Sequence, residues 1–356
     1  MATSFKDLES GRDSVVTRNL LHEAIPITGT IVSGTYADGN IKNFAHGMFQ
    51  SVYDYPFLSS SANHIIDLTC GYAATSGLSG ASSTQNAKKI NIYNQMAQVL
   101  VGFDENGAVR QFDEDGDLSG GTKINEAYFF NFTRLLVKDE IKKGSFSLTL
   151  GVNQAFGDAS DTKIINITDA SGSNEFKVNS PAGEYGILYA SGSDSVVNFK
   201  GFAKCGLLYY QAGVAVISAS VFNNSTPGGL LKQSAILATG LSGSSTTLLT
   251  GSAISGAADA IRHRFVNLSF NNTTELNSTV YFCRANNTDF NYSANQTYLS
   301  SSKMVVKTNS QDLPVSYVTS VGLYSPDNEL LAVAKLSEPL KKDPSTEFTI
   351  RVRLDY

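Results

Sequence analysis

From Ser145 onward, apolar residues recur at every second position in short runs separated by clusters of glycine and serine. A period of two fits an extended chain with one buried face, because successive strand side chains point to opposite sides. Phe146, Leu148 and Leu150 open the pattern. Runs follow at Thr162–Thr168, Glu175–Val178, Tyr185–Ala190, Val196–Phe199, Gly206–Gln211 and Val214–Phe222. Between them lie turn clusters such as Ala170-Ser171-Gly172-Ser173 and Pro181-Ala182-Gly183. Short strands at this spacing predict an antiparallel sandwich or barrel. Gly240–Gly256 reads as an exposed loop with one short strand, and Ala257–His263 as one or two helical turns. Phe265–Phe270 and Thr279–Ala285 read as strands, and Asn286–Thr308 as a long polar loop. The block from Val315 to Tyr356 reads as a strand meander. Its Ser325-Pro326-Asp327-Asn328 segment has type I turn chemistry. In its last strand Phe348, Ile350, Val352 and Leu354 face inward, while Thr349, Arg351, Arg353 and Asp355 face outward.

Before Ser145 the spacing is different. Ser14–Glu23 is compatible with a helix stopped by Pro26. Ile41, Phe44, Ala45, Met48, Phe49 and Val52 recur at spacings of three and four and predict an amphipathic helix capped by Asp38. Ile90, Tyr93, Met96, Ala97 and Leu100 predict a second. Val99–Phe103 reads as a strand, followed by a turn at Asp104-Glu105-Asn106-Gly107 and a return over Ala108–Phe112. In Ala127–Ile141, Phe129, Phe132 and Leu136 favour a helix ended by Lys142-Lys143-Gly144. The expected fold class is therefore α+β and β-dominated. It has a helical N-terminal part, then antiparallel β-sandwich or barrel domains, with a C-terminal strand meander. The expected domains are 1–143 (mixed α/β), 144–235 (central β) and 236–356 (C-terminal β).

Only 17% of the 356 residues are charged, against about a quarter in an average soluble domain. Charge depletion suits a surface covered by neighbouring chains, since each buried charge needs a partner. The net charge is −5 and no basic cluster exceeds two residues, so nucleic acid is not an expected partner. No apolar run is long enough for a membrane span of ~20 residues, and the N-terminus lacks a secretory pattern. Cys70, Cys205 and Cys283 are odd in number and far apart, which fits neither a zinc site nor a disulfide framework.

Catalytic motifs are sparse. Asp113-Glu114-Asp115-Gly116-Asp117 gathers carboxylates around a glycine turn, as calcium loops do. A calcium loop of the EF-hand type needs Glu at the twelfth position, where this chain has Ile124. Asp113, Asp115 and Asp117 thus form the best-patterned metal candidate, and the expectation remains that no metal or cofactor is bound. His22-Glu23 begins a zinc-protease pattern, but Pro26 stands where the second histidine belongs. His46, His64 and His263 are scattered, and neither a nucleophile elbow nor a phosphate loop occurs. The chain is expected not to be an enzyme. With 16 Tyr, 20 Phe and no Trp, aromatic side chains are read as interface material. Tyr317, Tyr324, Arg351, Arg353 and Tyr356 are the interface candidates.

Four segments carry a resemblance to known proteins. They are Tyr317-Val318-Thr319-Ser320-Val321-Gly322-Leu323-Tyr324, Asn328-Glu329-Leu330-Leu331-Ala332-Val333-Ala334-Lys335-Leu336, Pro339-Leu340-Lys341-Lys342 and Arg351-Val352-Arg353-Leu354-Asp355-Tyr356. This block resembles the C-terminal signature of virion structural proteins in contractile-tailed phages of marine cyanobacteria. His46–Pro56 and Tyr209-Tyr210-Gln211-Ala212-Gly213 are similar to segments of the same group. The resemblance implies a virion component of baseplate or tail type, made in a host bacterial cytoplasm. Its expected partners are further copies of itself and other tail proteins. A host-surface glycan receptor, or a neck or capsid position, is the alternative. No catalytic motif comes with the resemblance.

Overall fold

The computed structural model describes residues 5–23, 38–136, 139–153, 163–226, 228–235, 237, 244–292, 299–300, 303–304, 311 and 313–355. The chain is β-dominated and forms two units, Leu21–Thr274 and a second made of Met1–Leu20 with Glu275–Tyr356. In chain order the strands begin with β1 (Ser14–Glu23), β2 (Ile41–Asn43), β3 (Gln50–Tyr53), β4 (His64–Tyr72), β5 (Glu126–Asn131) and β6 (Glu140–Ile141). They continue with β7 (Ser147–Gly151), β8 (Ile164–Thr168), β9 (Tyr185–Gly192), β10 (Ala203–Tyr209), β11 (Val214–Ser218) and β12 (Phe265–Ser269). The last six are β13 (Asn272–Ala285), β14 (Leu299–Ser300), β15 (Lys303–Met304), β16 (Ser316–Tyr324), β17 (Leu330–Lys342) and β18 (Phe348–Asp355). Helices are α1 (Asn86–Leu100), a single turn α2 (Gly172–Glu175), α3 (Ser245–Gly251) and α4 (Ile254–Arg262).

The larger unit is built on one ten-stranded sheet in the order β12-β7-β8-β9-β10-β11-β5-β4-β3-β2. Every pairing in it is antiparallel. The sheet curls. Phe265 on the edge strand β12 lies 5.2 Å from Phe130 on β5, six strands away in pairing order. Phe132 likewise meets Phe146 at 5.7 Å and Phe270 at 5.4 Å. The face with Leu148, Ile167, Leu188, Leu208, Ile217 and Phe130 therefore closes on itself, and all six are buried. Gly206 permits that curl, because a Cβ there would stand 2.2 Å from the Val216 carbonyl oxygen on β11. Helices α1 and α4 pack on β4. Gly71 lets α1 approach: a Cβ there would meet the Lys89 carbonyl oxygen at 2.5 Å. Phe112 and Tyr93 pack edge-on at 5.3 Å, and Phe129 of β5 lies 5.7 Å from Phe112.

In the smaller unit β13 pairs with β18 from Ser278 opposite Asp355 to Ala285 opposite Phe348, with β1 on the other side of β13. β14 and β15 pair antiparallel, Leu299 opposite Met304 and Ser300 opposite Lys303. β16 and β17 form a separate two-stranded ribbon.

The helical N-terminal part is not found. Ser14–Glu23 is a strand, because β-branched Val15, Val16 and Thr17 fit a pleated surface and β13 supplies the partner. The spacing over Ile41–Val52 arises from two short strands around a turn where Phe44 stacks on His46 at 5.2 Å and meets Phe49 at 4.5 Å. Gly47 sits there at φ 62, outside helical geometry. Ala127–Ile141 opens as β5, whose run Ala127-Tyr128-Phe129-Phe130 is buried on both faces. Such a run has no periodicity to distinguish strand from helix. The expected helix over Ile90–Leu100 is present as α1. It runs through Val99 and Leu100, where a strand was expected, and the Asp104–Gly107 turn is closed by a bridge between Phe103 and Val109.

Within the β-rich region, Glu175 ends a helical turn and Lys177 bridges to Tyr185 in place of the expected strand. Val197 bridges only to Leu231. Of Gly240–Gly256, the described part from Ser244 onward is helical: Leu248, Leu249 and Ile254 are buried among small side chains whose composition mimics a loop. The C-terminal block is not a three-stranded meander, because β18 leaves the ribbon and pairs with β13. Nor do the two units follow the expected boundaries. The ten-stranded sheet takes strands from both sides of position 143.

Candidate functional site

The β16–β17 ribbon exposes six large apolar side chains: Tyr317, Tyr324, Leu330, Leu331, Val333 and Leu340. Leu323 pairs with Ala332 and Val321 with Ala334, and these four residues are at least half-buried. The opposite face carries Gly322, Val333, Tyr324 and Leu330. Tyr324 folds over Gly322, where a Cβ would meet its ring at 2.9 Å and Leu330 at 3.3 Å. Leu331 occupies the register shift between Leu323 and Tyr324. Leu331 is 67% exposed and Val333 61%. A second register shift brings Leu336–Pro339 out opposite Thr319. Proline belongs in such a bulge, since it has no N–H for the ladder.

The interface candidates divide accordingly. Tyr317 is exposed beside this ribbon's end, opposite Lys341. Tyr324 is half-covered, with the Phe5 ring edge-on at 5.2 Å. Arg351 is exposed on β18. Arg353 is engaged within its own sheet: Nε donates to Asp355 Oδ1 at 2.6 Å and a terminal nitrogen to Ser278 Oγ at 3.0 Å. Tyr356 lies outside the described residues. Leu330, Leu331, Val333 and Leu340 were missed. The signal was in the sequence: Leu330-Leu331-Ala332-Val333-Ala334 is a continuous apolar run, which on a strand asks for cover on both faces.

The structure brings Asp113, Asp115 and Asp117 together, with one carboxylate oxygen of each within 4.8 Å of the others. Asp113 is fully buried; its Oδ2 accepts from Lys123 Nζ at 2.6 Å and its Oδ1 has no partner. Burial pushes the Asp113 carboxyl up, Lys123 opposes this and Asp115 adds to it. Asp115 is held below the usual carboxylate range, chiefly by the Asp117 amide. The turn is fixed from below: Tyr185 Oη and Asn179 Nδ2 donate to the Gly116 carbonyl at 3.0 and 3.1 Å. Beside it lies an open depression lined by Phe176, Ile187, Tyr189 and Lys204.

Two other polar clusters lie elsewhere in the larger unit. Ser51 Oγ donates to Asp67 Oδ1 at 2.5 Å, and His64 Nε2 lies 2.7 Å from the same oxygen. The carboxylate is central, so the serine faces an acid and has no imidazole to take its proton. Asp54 is engaged elsewhere, its Oδ1 accepting from the Asn63 amide at 2.6 Å and its Oδ2 from Asn63 Nδ2 at 2.7 Å. Lys143 sits between Glu140 at 3.2 Å and Glu184 at 2.5 Å, over the rings of Phe176 and Tyr210. Cys70 and Cys205 are buried thiols, with Cys70 pushed up to about 12 by burial.

No helix among the described residues is long and apolar enough to cross a membrane. No family model matches this chain, and no curated protein or solved structure matches it either.

Proposed function

We propose that the protein is a structural component of a tailed-phage virion, of baseplate or tail, that assembles through protein–protein interfaces with copies of itself and other tail proteins. The observation that supports this reading is the β16–β17 ribbon. An isolated two-stranded hairpin is marginal in water. This one exposes Tyr317, Tyr324, Leu330, Leu331 and Val333. Both of its outer edges are unpaired among the described residues. Free edges and apolar side chains on one element are costly in a monomer, and natural proteins ordinarily blunt them. A second strand or a flat apolar face of a neighbour would cover both. Three of the four segments that carry the C-terminal resemblance fall on or beside these strands, and the resemblance supplies the kind of particle. Mass spectrometry and cryo-EM of purified virions test the reading. The expected result is the chain at stoichiometric level with the ribbon inside a subunit contact. Its absence from particles overturns the proposal.

A further inference from the structure

We propose that the turn from Asp113 to Asp117 is a binding site for a hard divalent cation of calcium size, held by the carboxylates of Asp113, Asp115 and Asp117. Three closely placed acids are common on protein surfaces and carry no such inference alone. Asp113 is different from a surface acid. It is fully buried, its Oδ2 is taken by Lys123, and its Oδ1 is buried with no hydrogen-bond partner. A buried carboxylate oxygen without a donor is costly. A cation in front of it would remove that cost.

The space for the cation is there. Gly121 has no side chain, and the position of a Cβ on it lies 3.2 Å from Asp115 Oδ2 and 3.4 Å from Asp113 Oδ1. Any other residue would place a carbon in front of both oxygens. Lys123 does not block the site, because it approaches from the Oδ2 side. It also offsets part of the charge repulsion when the site is empty.

The ligand set selects the ion. All donors are oxygens, which disfavours zinc and copper. Oxygens up to 4.8 Å apart fit around an ion with bonds of about 2.4 Å, the calcium range. Magnesium, with bonds of about 2.0–2.1 Å, would require the three acids to draw closer and the geometry to become octahedral. Ile124 stands where an EF-hand places its bidentate Glu, so water and backbone carbonyls must complete the shell. Affinity of about 10⁻⁴–10⁻³ M, the range of weak extracellular calcium modules, is expected.

The test uses the full chain. Tyr185 packs against Gly116 and the chain has no Trp, so Tb³⁺ in the site should emit on tyrosine excitation. Ca²⁺ should displace it, and Ca²⁺ at ten times its Kd should raise Tm by about 3 °C relative to chelator. Asp115→Asn and Asp117→Asn, at exposed or half-exposed positions, should fold normally and abolish both effects. Asp113→Asn should do the same where it folds. Terbium emission that survives Asp115→Asn and Asp117→Asn, or a Tm indifferent to Ca²⁺, overturns the site. A proton shared between Asp113 and Asp115 gives that second result.

Discussion

Asp169 illustrates how a single buried acid organises the chain around it. Its two oxygens accept from the Gly144 and Phe146 amides at 2.8 and 2.9 Å and from Tyr210 Oη at 3.1 Å. It thereby ties the end of β8 to the start of β7 and to the turn after β10. Burial nonetheless pushes its carboxyl above the usual value of 3.8, with these hydrogen bonds opposing the rise. The folded protein therefore binds this proton more tightly than the unfolded chain does. The contribution is fully present below pH 3.8 and is lost as pH rises through the raised folded value. Asp169→Asn cannot accept from both amides and should cost about 1–3 kcal/mol. The gap between wild type and variant should be widest at low pH and narrow as pH rises. Urea denaturation between about pH 3.5 and 7 measures it, and a gap that widens with pH contradicts the assignment. Residue chemistry of this kind was only half legible. The Asp113, Asp115, Asp117 spacing could be read directly. Lys123 beneath it, Gly121 in front of it and Tyr185 from a distant strand were brought there by folding, and no local pattern announces them.

At the scale of elements, the ribbon is where assembly can be tested without disturbing the fold. Leu331→Lys with Val333→Lys adds two charges to its exposed face. Both side chains are mostly in water already, so Tm should change by no more than a degree or two, in line with other surface substitutions. Self-association or incorporation into particles should fall by at least tenfold if this face is covered in the assembly, since hot-spot truncations cost ≥ 2 kcal/mol. Light scattering and co-sedimentation read the two quantities separately. Unchanged association with unchanged Tm would remove the ribbon from the interface. Period-two alternation located β7, β8 and β18 in the sequence, because in each one face is more deeply buried than the other. It failed for β5, whose two faces are both buried. It failed also for β2 and β3, too short to show a period, where the aromatic turn between them imitates helical spacing.

At the scale of the whole molecule, the two units differ in how the chain supplies them. All ten strands of the large sheet come from Ile41–Ser269, so residues 21–274 hold every hydrogen-bonding partner of that sheet. Expressed alone, this fragment should be soluble, β-rich by circular dichroism and cooperative in melting. An aggregated or unfolded fragment would show that the sheet depends on the rest of the chain. The smaller unit draws on both chain ends: Asp13 accepts from the Phe282 amide at 2.8 Å and pairs with Arg284 at 3.2 Å. The sequence by itself determined that strands dominate after Ser145, where they break, which face of β18 is buried and which acids share a turn. These follow from local chemistry: side-chain alternation, turn residues and spacing along a few peptides. Only the tertiary structure decided that Ser14–Glu23 is a strand, that β18 leaves its neighbours for β13, and that Phe265 closes a sheet onto Phe130. Those outcomes depend on which distant segment offers an open ladder or an apolar face, and hydrogen-bonding partners far apart in sequence leave no mark on local periodicity.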